Sequence, residues 1–377
     1  MSLRHRFRAR VTYDGEGFHG VQRNVRTQDG TELRTILSTL EHELRPALGQ
    51  EVKFTVAGRT DAGVSATGQV VSFDADAVLN DAHQPLLSVH GVPRRDSDLA
   101  NALNACLPDD LQLLEIGTVP RSFDVVRDCR FKRYRYRLPP CQPNDDDAQA
   151  LRILKMVASH CARASRNRAA AEEKEADDGQ AALGLEHRGS RKRRRRRKRE
   201  PLEILDVEAM ARAAALFEGT HDFGAFQASR GDQKGTVRTV FRCAVERRKA
   251  GCENMSRHGS AGGGRGGGDG DDDSIVAQAG EAYDLVIEGD GFLYKMVRIV
   301  AGTLLMVGMG LAPEETVLVA LKKERQAGQA DDLAASVLGS PQNELRRRGI
   351  VGPTLPPEPL CLEHVEYDRD HESASVE

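Results

Sequence analysis

Nine consecutive basic residues, Arg191 through Arg199, cannot enter a folded interior. Like charges at that density repel one another and stay hydrated. A second stretch, residues 251–274, is rich in Gly and Asp and includes Gly262-Gly263-Gly264-Arg265-Gly266-Gly267-Gly268, so it offers nothing to bury. Any core must therefore be assembled from three stretches, 7–138, 203–249 and 275–368, separated by a polar and basic insertion over 142–200 and a Gly/Asp-rich one over 251–274. A chain of 377 residues exceeds what one domain of about 150 residues needs. Two domains, or one fold of two halves, are expected, with an N-terminal half over 1–120 and a C-terminal half over 121–377.

Charge and apolar patterning exclude several classes. There are 54 basic against 57 acidic side chains, a net of −3, so any surface that attracts nucleic acid must be local. No apolar run reaches the ~18 residues of a membrane span. Residues 1–8 lack the apolar core of a secretory signal. The seven cysteines are scattered and form no C-x-x-C pair, which argues against a zinc site or a disulfide framework and for a reducing compartment. The location expected is intracellular, nucleus or cytoplasm, with an organelle kept open. No ligand cluster for a metal or cofactor is visible.

Periodicity gives an alternation of strands and helices. Leu33, Ile36, Leu37, Leu40, Leu44 and Leu48 predict an amphipathic helix over 32–48. Residues 53–56 and 69–73 read as short strands around a Gly-rich turn. Over 132–138, Tyr134, Tyr136 and Leu138 share one face, and Arg133, Arg135 and Arg137 the other. Asp206 can cap a helix running through Phe217, with Gly219 just beyond it. Leu285 and Ile287 alternate with Asp284 and Glu288 in a half-buried strand, and 296–307 reads as a helix. The fold class is α+β with a largely antiparallel sheet.

Three segments carry chemistry. In Gly58-Arg59-Thr60-Asp61-Ala62-Gly63 an arginine and an aspartate sit two apart in a glycine-punctuated loop. A carboxylate beside a guanidinium holds its charge and can act as a nucleophile in a dry pocket. The same pattern also suits a tight turn closed by a structural Arg–Asp contact. Residues 130–137 interleave basic and aromatic side chains on a strand, as stacking on bases and contact with phosphate require. A core of tyrosines with arginines in water is the other reading. Arg298 falls in the first turn of a helix, where the dipole disfavours a cation, so a compensating anion is expected nearby. His19 and His221 lack metal-spaced partners and read as structural.

These segments, in this order, resemble the TruA family of tRNA pseudouridine synthases. Tyr13-Asp14-Gly15-Glu16-Gly17-Phe18-His19-Gly20, Asn101-Ala102-Leu103-Asn104-Ala105-Cys106-Leu107-Pro108, Gly219-Thr220-His221-Asp222-Phe223-Gly224-Ala225-Phe226 and the tail 360–367 extend the likeness over 8–140, 203–248 and 280–368. The resemblance implies two α/β halves sharing one mixed, mainly antiparallel sheet flanked by helices, with an RNA cleft between them. It implies uridine-to-pseudouridine isomerisation, with the anticodon stem-loop of tRNA as target. It implies no cofactor and no metal, and a homodimer with tRNA touching both subunits. It assigns Asp61 as the essential aspartate, Arg59 as the residue that helps extrude the base, Tyr134 as the ring that stacks on the target, and Arg298 as the partner of Asp61. Gly58, Thr60, Gly63, Arg133 and Tyr136 are expected to bind substrate.

The chain departs from the family pattern at Val21, where tryptophan is usual, and at Ser65, where histidine is usual. Val126 stands where an arginine is expected one place before Arg127, Glu32-Leu33 replaces the early Val-Gln, and Pro359 replaces a glycine. None of these is the aspartate, the stacking tyrosine or the paired arginine. The rival reading is an RNA-binding or RNA-chaperone protein on the same fold with lapsed catalysis. A third is an aspartate-dependent hydrolase using the same loop.

Overall fold

A computed structural model describes residues 3–23, 27–79, 85–143, 147–182, 205–228, 235–248, 281–321 and 349–368. The basic run 191–199 and the Gly/Asp-rich stretch 251–274 lie outside them. The described residues build an eleven-stranded sheet. Its strands are β1 (Leu3–Tyr13), β2 (Thr55–Val56), β3 (Ser65–Leu79), β4 (Pro85–Val89), β5 (Val92–Arg94), β6 (Leu111–Val119), β7 (Cys129–Arg137), β8 (Gly219–Asp222), β9 (Val237–Arg247), β10 (Tyr283–Gly289) and β11 (Leu360–Tyr367). The main path runs β5-β4-β3-β11-β7-β10-β9-β8, with β1 pairing β3 and β6, and β2 pairing β3. One pair, β3 with β11, is parallel; the others are antiparallel. The sheet is thus mixed and mainly antiparallel.

The helices are α1 (Ile36–Leu48), α2 (Asp96–Asn104), α3 (Ala148–Ala182), α4 (Val207–Ala215), α5 (Met296–Gly308) and α6 (Thr316–Ala320). Helix α1 starts four residues later than the apolar spacing predicts. Thr35 and Ser38 form a reciprocal capping box that fixes the start, while Arg34 is held outside by Asp110 at 2.7 Å. Asp206 caps α4 as expected, accepting from the Ala209 N–H. Helix α5 is buried on every side, and its apolar composition explains why.

Two expectations need correction. The stretch from 142, read as a solvated insertion, contains α3. Ala150, Ile153, Val157 and Ala164 form a buried stripe at helical spacing, and α3 packs on α5. The nine-cation run that follows outweighs this stripe in any compositional reading. Strand β10, read as half-buried, is central. It is flanked by β7 and β9, and Asp284 is covered because Arg248 and Arg135 bind its carboxylate at 2.6 and 3.3 Å.

Strand β11 joins the region built on β3 to the region built on β7, since each pairs with it. This junction needs Gly68: a Cβ there would overlap the Glu363 carbonyl. The strand run 65–79 is much longer than the predicted 69–73 because it serves β1, β2, β4 and β11 along its length.

Candidate active site

The 58–63 loop, the cleft face of β7 and the start of α5 converge on a cleft of about 1130 Å³. Its lining includes the cations Arg23, Arg59, Lys132, Arg238, Lys295 and Arg298, against two carboxylates, Asp61 and Asp290. This is the local basic surface that the near-neutral total charge requires.

Asp61 sits at the loop's tip. Its Oδ2 accepts from Arg298 Nη1 at 2.8 Å. Its side chain is 25% exposed, whereas that of Arg298 is 10% exposed. Arg298 is fixed a second time, because its Nε donates to the Leu355 carbonyl at 2.7 Å. The anion expected near the helix N-terminus is therefore Asp61. Lys295 enters α5 with φ 60°, a left-handed conformation rare outside glycine. This turn carries the chain from the cleft wall into the helix.

The loop is held from behind. Gln69 is fully buried; its Nε2 donates to the Gly58 carbonyl at 2.8 Å and its Oε1 accepts from the Gly58 N–H at 3.3 Å. Thr60, nearly buried, shares a hydrogen bond with the Tyr13 hydroxyl at 2.9 Å, and its carbonyl accepts from the Val21 N–H. Burial pushes the Tyr13 phenol up to about 12, so it stays a neutral partner. Val21 fills the space beneath the loop with no exposure. Ser65 caps the other side, accepting from the Gly15 N–H at 3.0 Å.

Tyr134 rises from β7 into the cleft lining, its ring edge-on to Phe292 at 5.2 Å between centroids. Burial, with Tyr13 and Asp61 nearby, drives its hydroxyl well above the ordinary phenol range. Gly58 lies opposite: a Cβ there would stand 3.6 Å from the Tyr134 hydroxyl and 3.2 Å from Lys132 Cδ and Cε. Arg59 is exposed at the mouth. With the Gln22 amide oxygen facing it, Gln22 accepts from Arg59 Nε and Nη2 at 3.2 and 3.3 Å.

Asp61, Arg59, Tyr134, Arg298, Gly58 and Thr60 are thus brought together, all of them lining the cleft. Three expected substrate-binding residues lie elsewhere. Gly63 makes the turn behind Asp61 at φ 79°, its N–H directed to the Phe18 carbonyl. Tyr136 is fully buried, donating to the Pro356 carbonyl at 3.1 Å. Arg133 points to the opposite face of the sheet and pairs with Glu288 at 2.7 Å. The pleat explains the last case: adjacent residues of a strand cannot both face one cleft. Gln69, Gln22 and Lys132 were not singled out by the sequence. For Lys132 a signal existed, since it shares the period-2 face of Tyr134.

Among the described residues no cluster of three or more His, Cys, Asp or Glu could hold a metal ion, and no helix is long and apolar enough to cross a membrane.

A mixed sheet brings a carboxylate, a guanidinium and a phenol together in a basic cleft, the arrangement that the resemblance to pseudouridine synthases implies. The family model described as tRNA pseudouridine synthase matches residues 213–338. The tRNA pseudouridine synthase A of Myxococcus xanthus is 31% identical over 333 residues, covering 88% of this chain and 83% of that protein. That of Acetivibrio thermocellus is 29% identical over 321 residues, covering 85% and 91%. That of Anoxybacillus flavithermus is 27% identical over 365 residues, covering 96% and 99%. The chain belongs to the tRNA pseudouridine synthase A family.

Proposed function

We propose that this cleft isomerises uridine to pseudouridine in tRNA, within the anticodon stem-loop, with Asp61 as the catalytic carboxylate. The observation that carries the assignment is the 2.8 Å contact between Asp61 and Arg298 beside Tyr134 at the cleft. Arg298 binds Oδ2 alone, so Oδ1 is left to meet the target nucleotide. The reaction breaks the N1–C1′ bond of uridine, turns the base, and joins C5 to C1′. A base paired in a stem is out of reach of a carboxylate on a loop, so the nucleotide leaves its stack first. Arg59, at the mouth and steadied by Gln22, helps extrude it. Tyr134 supplies the face on which the uracil stacks, worth about 1–3 kcal/mol. Its hydroxyl stays protonated and adds no charge next to Asp61.

Gly58 and Thr60 shape the wall without side chains that would block the base. The chain reads as two α/β halves, 1–120 and 121–377, with the cleft between them. It acts as a homodimer in which one tRNA touches both subunits, a reading supported by the resemblance alone and checked by light scattering with and without tRNA.

Pseudouridine formation expels the hydrogen on C5. Tritium release from tRNA carrying 5-tritiated uridine therefore reports chemistry and not binding. We expect release by the intact protein. For Asp61→Asn we expect a loss on the order of 10⁴-fold or more, with tRNA binding retained. Binding without release by the intact protein would turn the reading toward an RNA-binding protein with lapsed catalysis.

A further inference from the structure

Among the described residues, Lys132 is a buried lysine that no carboxylate answers. It lies on β7 two residues before Tyr134, so the pleat sends both side chains to the cleft face. It is 8% exposed, a degree of burial that lysine rarely reaches unpaired. Among the described residues it forms no ion pair, and its polar neighbour is the Cys129 thiol. Two arginines on the opposite face of β7 are answered: Arg133 by Glu288, and Arg135 by Glu363 and Asp284. The Lys132 stem runs along the cleft wall toward the catalytic turn. Its Cδ and Cε would each touch a Cβ at Gly58 at 3.2 Å, close to the Tyr134 hydroxyl. The Lys132 stem and the Tyr134 phenol thus converge on the turn that carries Arg59 and Asp61.

We propose that Lys132 is a further catalytic residue, whose ammonium stabilises the negative charge that develops on the uracil as its glycosidic bond opens. This rests on the pseudouridine synthase reading above. When N1–C1′ breaks, the bonding pair stays with the ring and spreads over N1, O2 and O4. The ring turns, a C5 pair forms the bond to C1′, the C5 hydrogen leaves as a proton, and N1 gains one. Nothing else is consumed. Between the two bonding events the uracil is an anion, and in uridine it is neutral. A fixed cation in a confined site therefore favours the intermediate and the barriers flanking it over the bound substrate, which is the condition for raising the rate. A backbone phosphate would be a poorer partner for this ammonium. Phosphates are charged before and after reaction, so a cation beside them gains nothing as the bond opens.

The test is single-turnover tritium release at saturating tRNA, with tRNA affinity measured separately by filter binding. For Lys132→Met we expect the rate to fall on the order of 10²–10³-fold, with affinity changed less than about threefold, a shift under ~1 kcal/mol. Lys132→Arg should recover most of the rate, because it restores the charge. Lys132→Gln replaces Lys132→Met if the latter does not fold, as judged by thermal melting. A normal rate in the neutral variant, or a loss of affinity with the saturated rate unchanged, overturns the proposal. So does failure of both neutral variants to fold, which would assign the ammonium to stability. Release by the intact protein, measured alongside, separates failure of this inference from failure of the pseudouridine synthase reading.

Discussion

A carboxamide with no exposure, Gln69, grips the 58–63 turn by the backbone N–H and carbonyl of Gly58, and its Nε2 also reaches the Tyr13 hydroxyl at 3.3 Å. Replacing it with leucine keeps the volume and strands two backbone groups in an apolar setting. Each stranded group costs about 1–3 kcal/mol. We expect Gln69→Leu to lower the urea-unfolding free energy by about 2–6 kcal/mol. At saturating tRNA, tritium release should also fall, because Asp61 loses its frame. Unchanged stability would show that the turn is held by other means. The 58–63 turn was only partly legible in sequence: an arginine and an aspartate two apart among glycines also suit a structural turn, and the catalytic reading came from the resemblance. The hold exerted by Gln69 was not legible, because it depends on how β3 folds back behind residue 58. Arg298 was half legible. A cation in a first helical turn demands an anion, but which one is a matter of long-range contact.

At the scale of elements, two structures carry risk if altered. Gly68 is where β11 lies against β3, and a methyl group there would strike the Glu363 carbonyl. Such a clash can be relieved only by moving a strand. We expect Gly68→Ala to destabilise by about 3 kcal/mol or more, read as a lowered midpoint in urea. Helix α3 is the second. Ile153 is 2% exposed, so Ile153→Ala should cost about 2–5 kcal/mol; a cost near zero would return 142–182 to the status of a solvated insertion. Periodicity revealed α4 and α5 well, since capping residues and apolar spacing are local properties. It failed for α3, where the neighbouring basic run dominates the composition. It failed for the full burial of β10, because the cover over Asp284 is made of Arg135 from β7 and Arg248 just past β9.

For the molecule as a whole, buried acidic groups set the alkaline limit. Burial raises the phenols of Tyr134, Tyr136 and Tyr367 strongly, and that of Tyr13 to about 12, from an unfolded value of 10.0. It raises the Cys361 thiol to about 11, from 9.0, and the Cys243 thiol further. Above those unfolded values the unfolded chain releases protons that the folded chain retains. Stability must then decline with rising pH. We expect the urea midpoint to begin falling near pH 9, as unfolded thiols ionise, and to fall more steeply beyond pH 10. A midpoint that rises over that range would contradict the burial of these groups.

The sheet's one parallel pair has a further consequence, for biosynthesis. Strands β3 and β7 do not touch each other along the main path; each waits for β11, which the ribosome makes long after both. Leu355, whose carbonyl steadies Arg298, also arrives only with that late segment. A nascent chain would therefore expose Asp61 without the guanidinium's second anchor, and without a finished wall around it. Competence to modify RNA should appear abruptly once β11 has been made, so that chains cut short before it are silent fragments and not weakly active enzymes.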